Sequence, residues 1–86
     1  MKKTIITVVG KDCVGIIAKV CTYLAENKVN ILDISQKLMQ NLFTMIALVD
    51  MEKSELTLDE LTAELEKVGE ELNVAIRVLP EESFEV

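Results

Sequence analysis

The residues best placed to bind a ligand lie at residues 8–17, where a strand-like run gives way to a helical one. Residues 4–9 are short and rich in β-branched side chains, which is typical of a strand, and the run stops at Gly10. Asp12 is the expected N-cap of the helix, since its carboxylate can accept first-turn N–H groups. Gly15 follows in the predicted first turn, where the missing Cβ would let a ligand or a second backbone approach.

Such a junction suits an anionic group. The free backbone N–H groups of a first helical turn and the positive end of the helix dipole would both face it. Lys11 adds a cation beside them. A purely structural explanation is also open, in which Gly10 ends a strand, Asp12 caps a helix, Gly15 eases packing and Lys11 is simply solvated.

The usual catalytic side chains are scarce. The chain has no His, so the commonest general base and metal ligand are missing. Cys13 and Cys21 are separated by a spacing that matches no zinc or redox motif. Cys21 is expected to be a small core residue, and Cys13 a loop residue open to oxidation. Two unpatterned thiols favour a cytoplasmic location. We therefore expect no enzyme activity, no cofactor and no metal.

The formal net charge of −6 is divided unevenly. Residues 1–49 hold six Lys and three acids, a net of +3, whereas residues 50–86 hold three basic residues and twelve acids, a net of −9. A basic footprint for nucleic acid is absent, and only Tyr23, Phe43 and Phe84 are aromatic. We expect neither nucleic-acid nor membrane binding.

The elements that must position this junction follow in the order βαββαβ. After the first helix, the run at 31–39 alternates, with Leu32, Ile34 and Leu38 on one face, and reads as a half-buried strand. Gln40 and Asn41 supply a hairpin turn. Residues 42–49 are nearly continuous in apolar character, which predicts a central strand buried on both faces. The remaining predicted elements are a helix opened by the capping box Thr57-Leu-Asp-Glu60, a strand at 74–79 ended by Pro80, and a tail at 81–86.

This order predicts one ferredoxin-like α+β domain over residues 1–80, with a four-stranded antiparallel sheet in the order 4-1-3-2 and both helices on one face. The acidic residues of the second helix are expected on its solvated side. Gly69, inside that helix, indicates either fraying or close packing. The sheet face without helices, carrying Ile5 and Met45 or their alternates, needs cover. Half of the residues are hydrophobic, so a second subunit is the expected cover.

Three segments in this order resemble an ACT domain, the small regulatory module that binds amino acids. They are Val8-Val-Gly-Lys-Asp-Cys-Val-Gly-Ile-Ile17, Ala25-Glu-Asn-Lys-Val-Asn-Ile-Leu-Asp-Ile-Ser-Gln36 and Phe43-Thr-Met-Ile-Ala-Leu-Val-Asp50. The chain is similar to stand-alone ACT proteins related to the glycine-cleavage-system regulator. The resemblance implies that two domains pair, often edge to edge through the second strand or over the open sheet face, and bind an amino acid at the seam. The binding residues it implies are Gly10, Lys11, Asp12, Gly15, Asn30 and Ile31.

The leading hypothesis is thus a non-enzymatic regulatory domain. It acts as a homodimer or higher homo-oligomer, binds an amino acid and has its arrangement read by a partner protein. The alternative is a ligand-free dimerisation or protein-interaction module of the same fold, with Asn30 a simple turn residue. An acylphosphatase-like enzyme would need an Arg in its phosphate-binding loop, but Arg77, the one Arg, lies in the predicted last strand. A metal carrier of this fold would need two thiols close together in the first loop, but Cys13 and Cys21 are too far apart along the chain for that.

Overall fold

The structure, a computed structural model, describes residues 2–11 and 15–80. The predicted order is confirmed, since six elements alternate as βαββαβ. They are β1 (Lys3–Gly10), α1 (Ile16–Glu26), β2 (Asn30–Met39), β3 (Leu42–Asp50), α2 (Leu58–Leu72) and β4 (Ala75–Pro80). The Cys13 loop and the 81–86 tail, for which expectations were given above, lie outside the described residues.

One antiparallel sheet carries the strands in the order β2-β3-β1-β4, which is the predicted 4-1-3-2 read from the other edge. Both helices pack on one face, α1 towards β2 and α2 against β4. The core lies between these layers and takes alternate residues of the two central strands. Its fully buried large side chains are Ile6, Val8, Ile16, Val20, Leu24, Met45, Val49, Leu61 and Leu65.

Helix α1 begins later than the sequence suggested. Gly15, not Asp12, occupies the N-cap position, so the N-cap assignment of Asp12 is wrong, and no side chain of the described residues caps the helix. What Asp12 does instead lies outside the described residues. The buried residues of this helix are Ile16, Val20 and Leu24. Cys21, expected as a core residue, is only half-buried.

Helix α2 begins as predicted. The Thr57 hydroxyl accepts the N–H of Glu60, and the Glu60 carboxylate accepts the N–H of Thr57, which completes the capping box. The close-packing explanation of Gly69 is correct, because Gly69 is buried and a Cβ there would lie 2.7 Å from the backbone oxygen of Val74. That oxygen is part of the backbone entering β4, so Gly69 lets α2 and β4 approach each other.

Two expectations about the sheet faces are wrong. Met45 lies on the face covered by helices, and its neighbour Ile46 lies on the open face with 53% of its surface exposed. The central strand β3 is thus buried on one face only in a single chain, although its central place in the sheet is confirmed. A uniformly apolar strand does not reveal which alternate set of side chains faces the helices.

The edge strand β2 contains a bulge at Leu32, because Ile31 pairs with Val49 while Asp33 pairs with Leu48. The extra residue reverses the alternation. Ile31, not Leu32, therefore shares the helix-side face with Ile34. The predicted hairpin turn at Gln40 and Asn41 is present, with the positive φ (55°) at Gln40.

Candidate functional site

Gly10 and Lys11 lie where β1 leaves the sheet towards α1. Gly10 is buried opposite Phe43, and a Cβ at this position would overlap the side chain of Val74. Lys11 is exposed beside it. Both residues line a crevice of about 600 Å³ at this end of the sheet. The other lining residues are Val9, Leu42, Leu72, Asn73, Val74 and Ala75.

Gly15 is required by its backbone rather than by a close neighbour. It has a φ of 81°, in the left-handed region that L-residues avoid, and no described atom lies within 4 Å of where its Cβ would be. The sequence predicted that a ligand or a second backbone approaches here. The described residues of one chain place no second backbone there, and the approach of a ligand stays a prediction. Gly15 lines a groove between the helices, of about 530 Å³, rather than the crevice of Gly10 and Lys11.

The N-terminus of α1 differs from that of α2. Among residues 2–11 and 15–80, no side chain caps α1 and its first turn has no acid, whereas α2 has a capping box together with Asp59 and Glu60. The first-turn N–H groups of α1 therefore have no side-chain acceptor among the described residues. An anionic group would find both hydrogen-bond donors and the positive end of a dipole there.

Contacts that join α1 to α2 border the groove between the helices. Tyr23 is half-buried in it, and burial, followed by the negative charges of Glu64 and Glu60, raises the pKa of its phenol above 10.0. At the surface the ammonium of Lys19 lies 2.8 Å from the carboxylate of Glu71, and this hydrogen bond lowers the pKa of Glu71. These groups join α1 to α2 and add no reactive group to the candidate site.

Asn30 and Ile31 lie at the opposite end of the sheet. Asn30 opens β2 and is exposed, and its cross-strand partner is Asp50. Ile31 is half-buried and packs against the core. Asn30 lines a crevice of about 540 Å³. The other lining residues are Ala25, Lys28, Val29, Asp50 and Lys53.

Apart from Gly15 in the groove between the helices, the described candidate residues thus form two groups that one chain does not bring together. Gly10 pairs with Phe43, which pairs with Leu38, whereas Asn30 pairs with Asp50, which pairs with Lys3. These rows are seven residues apart along β1, or roughly 23 Å at about 3.3 Å per strand residue. No small metabolite spans that length. A single site containing both groups requires a second copy of the chain.

The cationic surroundings of Asn30 were not predicted from the sequence. Lys28 and Lys53 line the same crevice, one before β2 and the other after β3. Lys28 has a positive φ of 59°, which places it in a tight turn between α1 and β2. The available signal was the Lys-Val-Asn run at 28–30, but Lys53 comes near only because β2 and β3 pair along their length.

Metal chemistry finds no support in the described ranges. Across residues 2–11 and 15–80, no group of three or more Cys, Asp or Glu side chains is arranged to hold a metal ion. No helix in these ranges is long and apolar enough to cross a membrane.

Comparison with known proteins gives a consistent family. The family model described as ACT domain matches residues 2–79. A UPF0237 protein of Clostridium acetobutylicum is 52% identical over 82 residues, which cover 95% of this chain and 92% of that protein. The solved structure of an ACT domain protein from Streptococcus pneumoniae superposes with a TM-score of 0.85 at 42% identity, covering 99% of this chain and 96% of that one.

Two more distant structures share the fold. A formyltetrahydrofolate deformylase from Pseudomonas syringae matches with a TM-score of 0.85 at 23% identity, but the match covers 93% of this chain and only 28% of the enzyme. A structure described as a glycine cleavage system transcriptional repressor matches with a TM-score of 0.78 at 18% identity, covering 90% of this chain and 45% of that one. The resemblance found in the sequence is confirmed: the chain belongs to the ACT-domain family.

Proposed function

We propose that this ACT-domain protein is a non-enzymatic, cytoplasmic regulatory protein that binds an amino acid between two copies of the chain. The domain comprises residues 1–80, with 81–86 as a tail, in keeping with the family match over 2–79. Ligand binding favours one arrangement of the two copies, and a target protein reads that arrangement. The supporting observation is that Gly10, with Lys11 beside it, and Asn30 lie at opposite ends of one sheet.

The free edge of β2 offers the way to join the two groups. β2 is an edge strand of ten residues, so its outer N–H and C=O groups can pair with a second copy. A two-fold axis would run the two β2 strands antiparallel, so that the start of one lies beside the end of the other. Asn30 would then lie beside the partner's Leu38 and Met39, whose row continues to the partner's Gly10.

The side chains of β2 select one register for this pairing. When the axis passes through Ser35, Asp33 faces the partner's Lys37, and the same ion pair forms twice. After the Leu32 bulge is counted, Ile31 faces the partner's Leu38 on the helix side, which matches apolar with apolar. Shifting the axis by one residue moves it to Ile34 or Gln36 and separates both pairs. The Ser35-centred register also keeps nearly the whole strand paired.

This pairing would assemble a pocket suited to a zwitterion. The uncapped first turn of α1 would supply N–H donors near Lys28 and Asn30 of the partner subunit, and Lys53 of that subunit adds positive charge. A carboxylate fits these donors, and the Asn30 side-chain oxygen or the Asp12 carboxylate would accept from the ammonium group. For a ligand of this size we expect an affinity between about millimolar and about micromolar.

The first test is calorimetric titration with the twenty standard amino acids, each at millimolar concentration. At least one should give a saturable heat signal, and the Lys11→Ala and Asn30→Ala variants should each lose it. Both positions are exposed, so the fold should tolerate the changes. Twenty silent titrations would contradict the amino-acid proposal.

Mixing the two variants tests whether each site uses both chains. In a mixed dimer, one site carries both substitutions and the other carries none. Random re-pairing should therefore restore about one quarter of the wild-type binding capacity. A mixture with no binding, beside a wild type that binds, would place the whole site within one chain and contradict the shared-site proposal.

The second candidate is a ligand-free interaction module. The exposed apolar side chains of the sheet, of which Ile46 is the central one, favour it. In that case amino acids would change neither the heat signal nor the capture of a target protein.

A further inference from the structure

The groove between the helices extends along the full length of α1 and past its end. The groove itself, of about 530 Å³, and a second cavity of about 360 Å³ share one lining residue, Glu26. The eleven residues of α1 rise by about 16 Å at about 1.5 Å per residue, which sets a lower limit for the length of the combined surface. That length fits three turns of a further helix.

The floor of this groove is uncharged and largely apolar. Ala18 and Thr22 of α1 are exposed, while Tyr23 and Val68, from the two helices, are half-buried beside them. Leu56 continues the floor into the second cavity. Because Ala18 and Thr22 are small and lie one turn apart on one side of α1, a further helix can approach to about 8–10 Å, the usual distance between packed helices.

The rim of the groove is acidic. Glu26 lines both cavities, and Glu55 and Glu60 line the second one. Glu64 lies on the groove side of α2, since its negative charge acts on the phenol of Tyr23. The four carboxylates are exposed. An apolar floor between acidic side chains suits a partner with an apolar stripe between cations.

The helix layer carries most of the negative charge of the chain. α1 contains one acid and one Lys and α2 contains six acids and one Lys, a net of −5 in a chain of net charge −6. Both lysines already have acidic partners, Lys19 with Glu71 at 2.8 Å and Lys67 with Glu64 at 3.7 Å. Lys28 is the cation that lines the second cavity. This excess attracts a cationic partner and repels the helix layer of a second copy.

We infer that the groove between the helices binds an amphipathic helix of a partner protein, with Lys or Arg on the polar face of that helix. The apolar face of the bound helix would cover Ala18, Thr22 and Val68, and its cations would lie against the acidic rim, as in other helix-in-groove contacts. Identifying this partner as the target protein rests on the proposed function, whereas the binding itself does not. The target would then contact α1, the helix whose N-terminus belongs to the proposed amino-acid site.

The probe is a synthetic peptide of about four helical turns, with Leu along one side, Lys on the others and a fluorescent label. Its binding is measured by anisotropy at physiological salt and without amino acids. We expect saturable binding to the wild-type protein. Two control peptides should not bind, one with every Lys replaced by Glu and one of the same composition with Leu and Lys shuffled so that no apolar side forms. No binding of the probe, or equal binding of either control peptide, would overturn the inference.

Two matched pairs of variants locate the contact. Ala18→Leu fills the floor and Glu26→Lys reverses a charge at the rim, whereas Ala63→Leu and Glu66→Lys make the same exchanges at α2 positions that line neither cavity. All four positions are exposed. The first two should weaken probe binding about fivefold or more, as at residues that dominate a contact, and the last two should leave it unchanged. Equal weakening by Glu26→Lys and Glu66→Lys would show general attraction between charges and overturn the inference.

A melting curve for each variant shows whether a loss of binding comes from unfolding. If Ala18→Leu does not fold, Glu26→Lys at the end of α1 still tests the rim. Because the probe is measured without amino acids, an absence of probe binding leaves the proposed amino-acid site standing. Twenty silent amino-acid titrations would likewise leave the groove standing. If an amino acid binds but does not change the affinity for the probe, the partner is not the target that reads the ligand.

Discussion

The three glycines of this chain serve different purposes. Gly15 provides a positive φ in open space, whereas Gly10 and Gly69 provide room against a neighbour. The neighbour is Val74 in both cases, but a Cβ on Gly10 would meet its side chain and a Cβ on Gly69 would meet its backbone oxygen. Close packing was one of the two explanations predicted for Gly69, but its partner was not named. Val74 meets Gly69 through the left-handed turn at Asn73 that ends α2, where the N–H of Val74 donates to the Gly69 carbonyl oxygen at 2.9 Å.

This difference predicts a selective rescue. Gly10→Ala should destabilise the protein by about 1–3 kcal/mol, the usual cost of overpacking, and Val74→Ala should remove most of that cost. Gly69→Ala should destabilise it too, although alanine is favoured over glycine in a helix by about 1 kcal/mol. Val74→Ala should not rescue Gly69→Ala, because the backbone oxygen stays in place.

Urea unfolding of the single and double variants, analysed as two double-mutant cycles, gives the two coupling energies. Gly15→Ala is the matched control, because it introduces backbone strain of about 1–2 kcal/mol and should show no coupling to Val74. Equal coupling of Val74 to Gly10 and Gly69 would contradict the distinction.

Asp50 ties the end of β3 to the segment that follows and to the start of the chain. Its carboxylate accepts the N–H of Glu52 at 3.0 Å and the N–H of Lys2 at 3.0 Å. The hydrogen bond from Glu52 is the main reason why the pKa of Asp50 lies below its usual 3.8 in the folded chain. These contacts are stronger when the carboxylate is ionised.

The lowered pKa predicts a loss of stability in acid. The contribution of Asp50 is fully present above pH 3.8 and is lost as the pH falls through the lower folded-state pKa, because protons bind the unfolded chain more tightly. Asp50→Asn should therefore flatten the pH dependence of the unfolding free energy below that pH. Glu66→Gln, on the exposed side of α2, controls for the loss of one charge. If the unfolding free energy of Asp50→Asn fell in acid as steeply as that of the wild type, this role of Asp50 would be wrong.

At the scale of elements, the sequence predicted what depends on local patterns. The Thr57 capping box, the exposed acidic side of α2 and the turn at Gln40 all depend on residues close together in the chain, and all are present. The predictions that failed concern features that tertiary packing decides. An apolar strand did not reveal that Met45 rather than Ile46 faces the helices, and no local signal marked the bulge at Leu32.

The edge strand β2 carries the prediction at this scale. In the Ser35-centred register, Lys37→Asp would place two carboxylates opposite each other twice, so the edge contact should weaken. Asp33→Lys alone should weaken it in the same way, with ammonium groups in place of carboxylates. The double exchange Asp33→Lys with Lys37→Asp should restore it, because each ion pair re-forms with its signs reversed.

The measurement is the dissociation constant of the edge dimer, determined in the Ile46→Glu background so that the open face does not contribute. Exposed pairs of this kind contribute about 0.2–1 kcal/mol each, so the two pairs should change the constant several-fold at low salt. Raising the salt concentration should reduce the difference. A double variant as weak as the single ones would exclude this register.

At the scale of the whole molecule, the separation of the candidate residues follows from the order of the elements. Gly10 ends β1 and Asn30 opens β2. Because both strands pair antiparallel with β3, they run parallel to each other, and these two residues lie at opposite ends of one layer. The fold could be predicted because each element has its own sequence pattern. The candidate site could be predicted only in part, because in the proposed dimer it depends on where a second copy lies.

In the proposed shared site, amino-acid binding and dimer formation are thermodynamically coupled. If each site takes residues from both chains, an amino acid that binds the dimer must tighten the dimer, and the dimer must bind the amino acid more tightly than a single chain does. Any amino acid that gives a heat signal should therefore lower the dimer dissociation constant of the Ile46→Glu variant in sedimentation experiments. Its apparent affinity should also fall as the protein is diluted below that constant.

Leu38→Glu, which weakens the edge contact without altering Lys11 or Asn30, should reduce amino-acid affinity at a fixed protein concentration, and a higher protein concentration should recover it. A saturable heat signal that is independent of protein concentration and leaves the sedimentation unchanged would mean that each chain binds alone, and the shared site would be wrong.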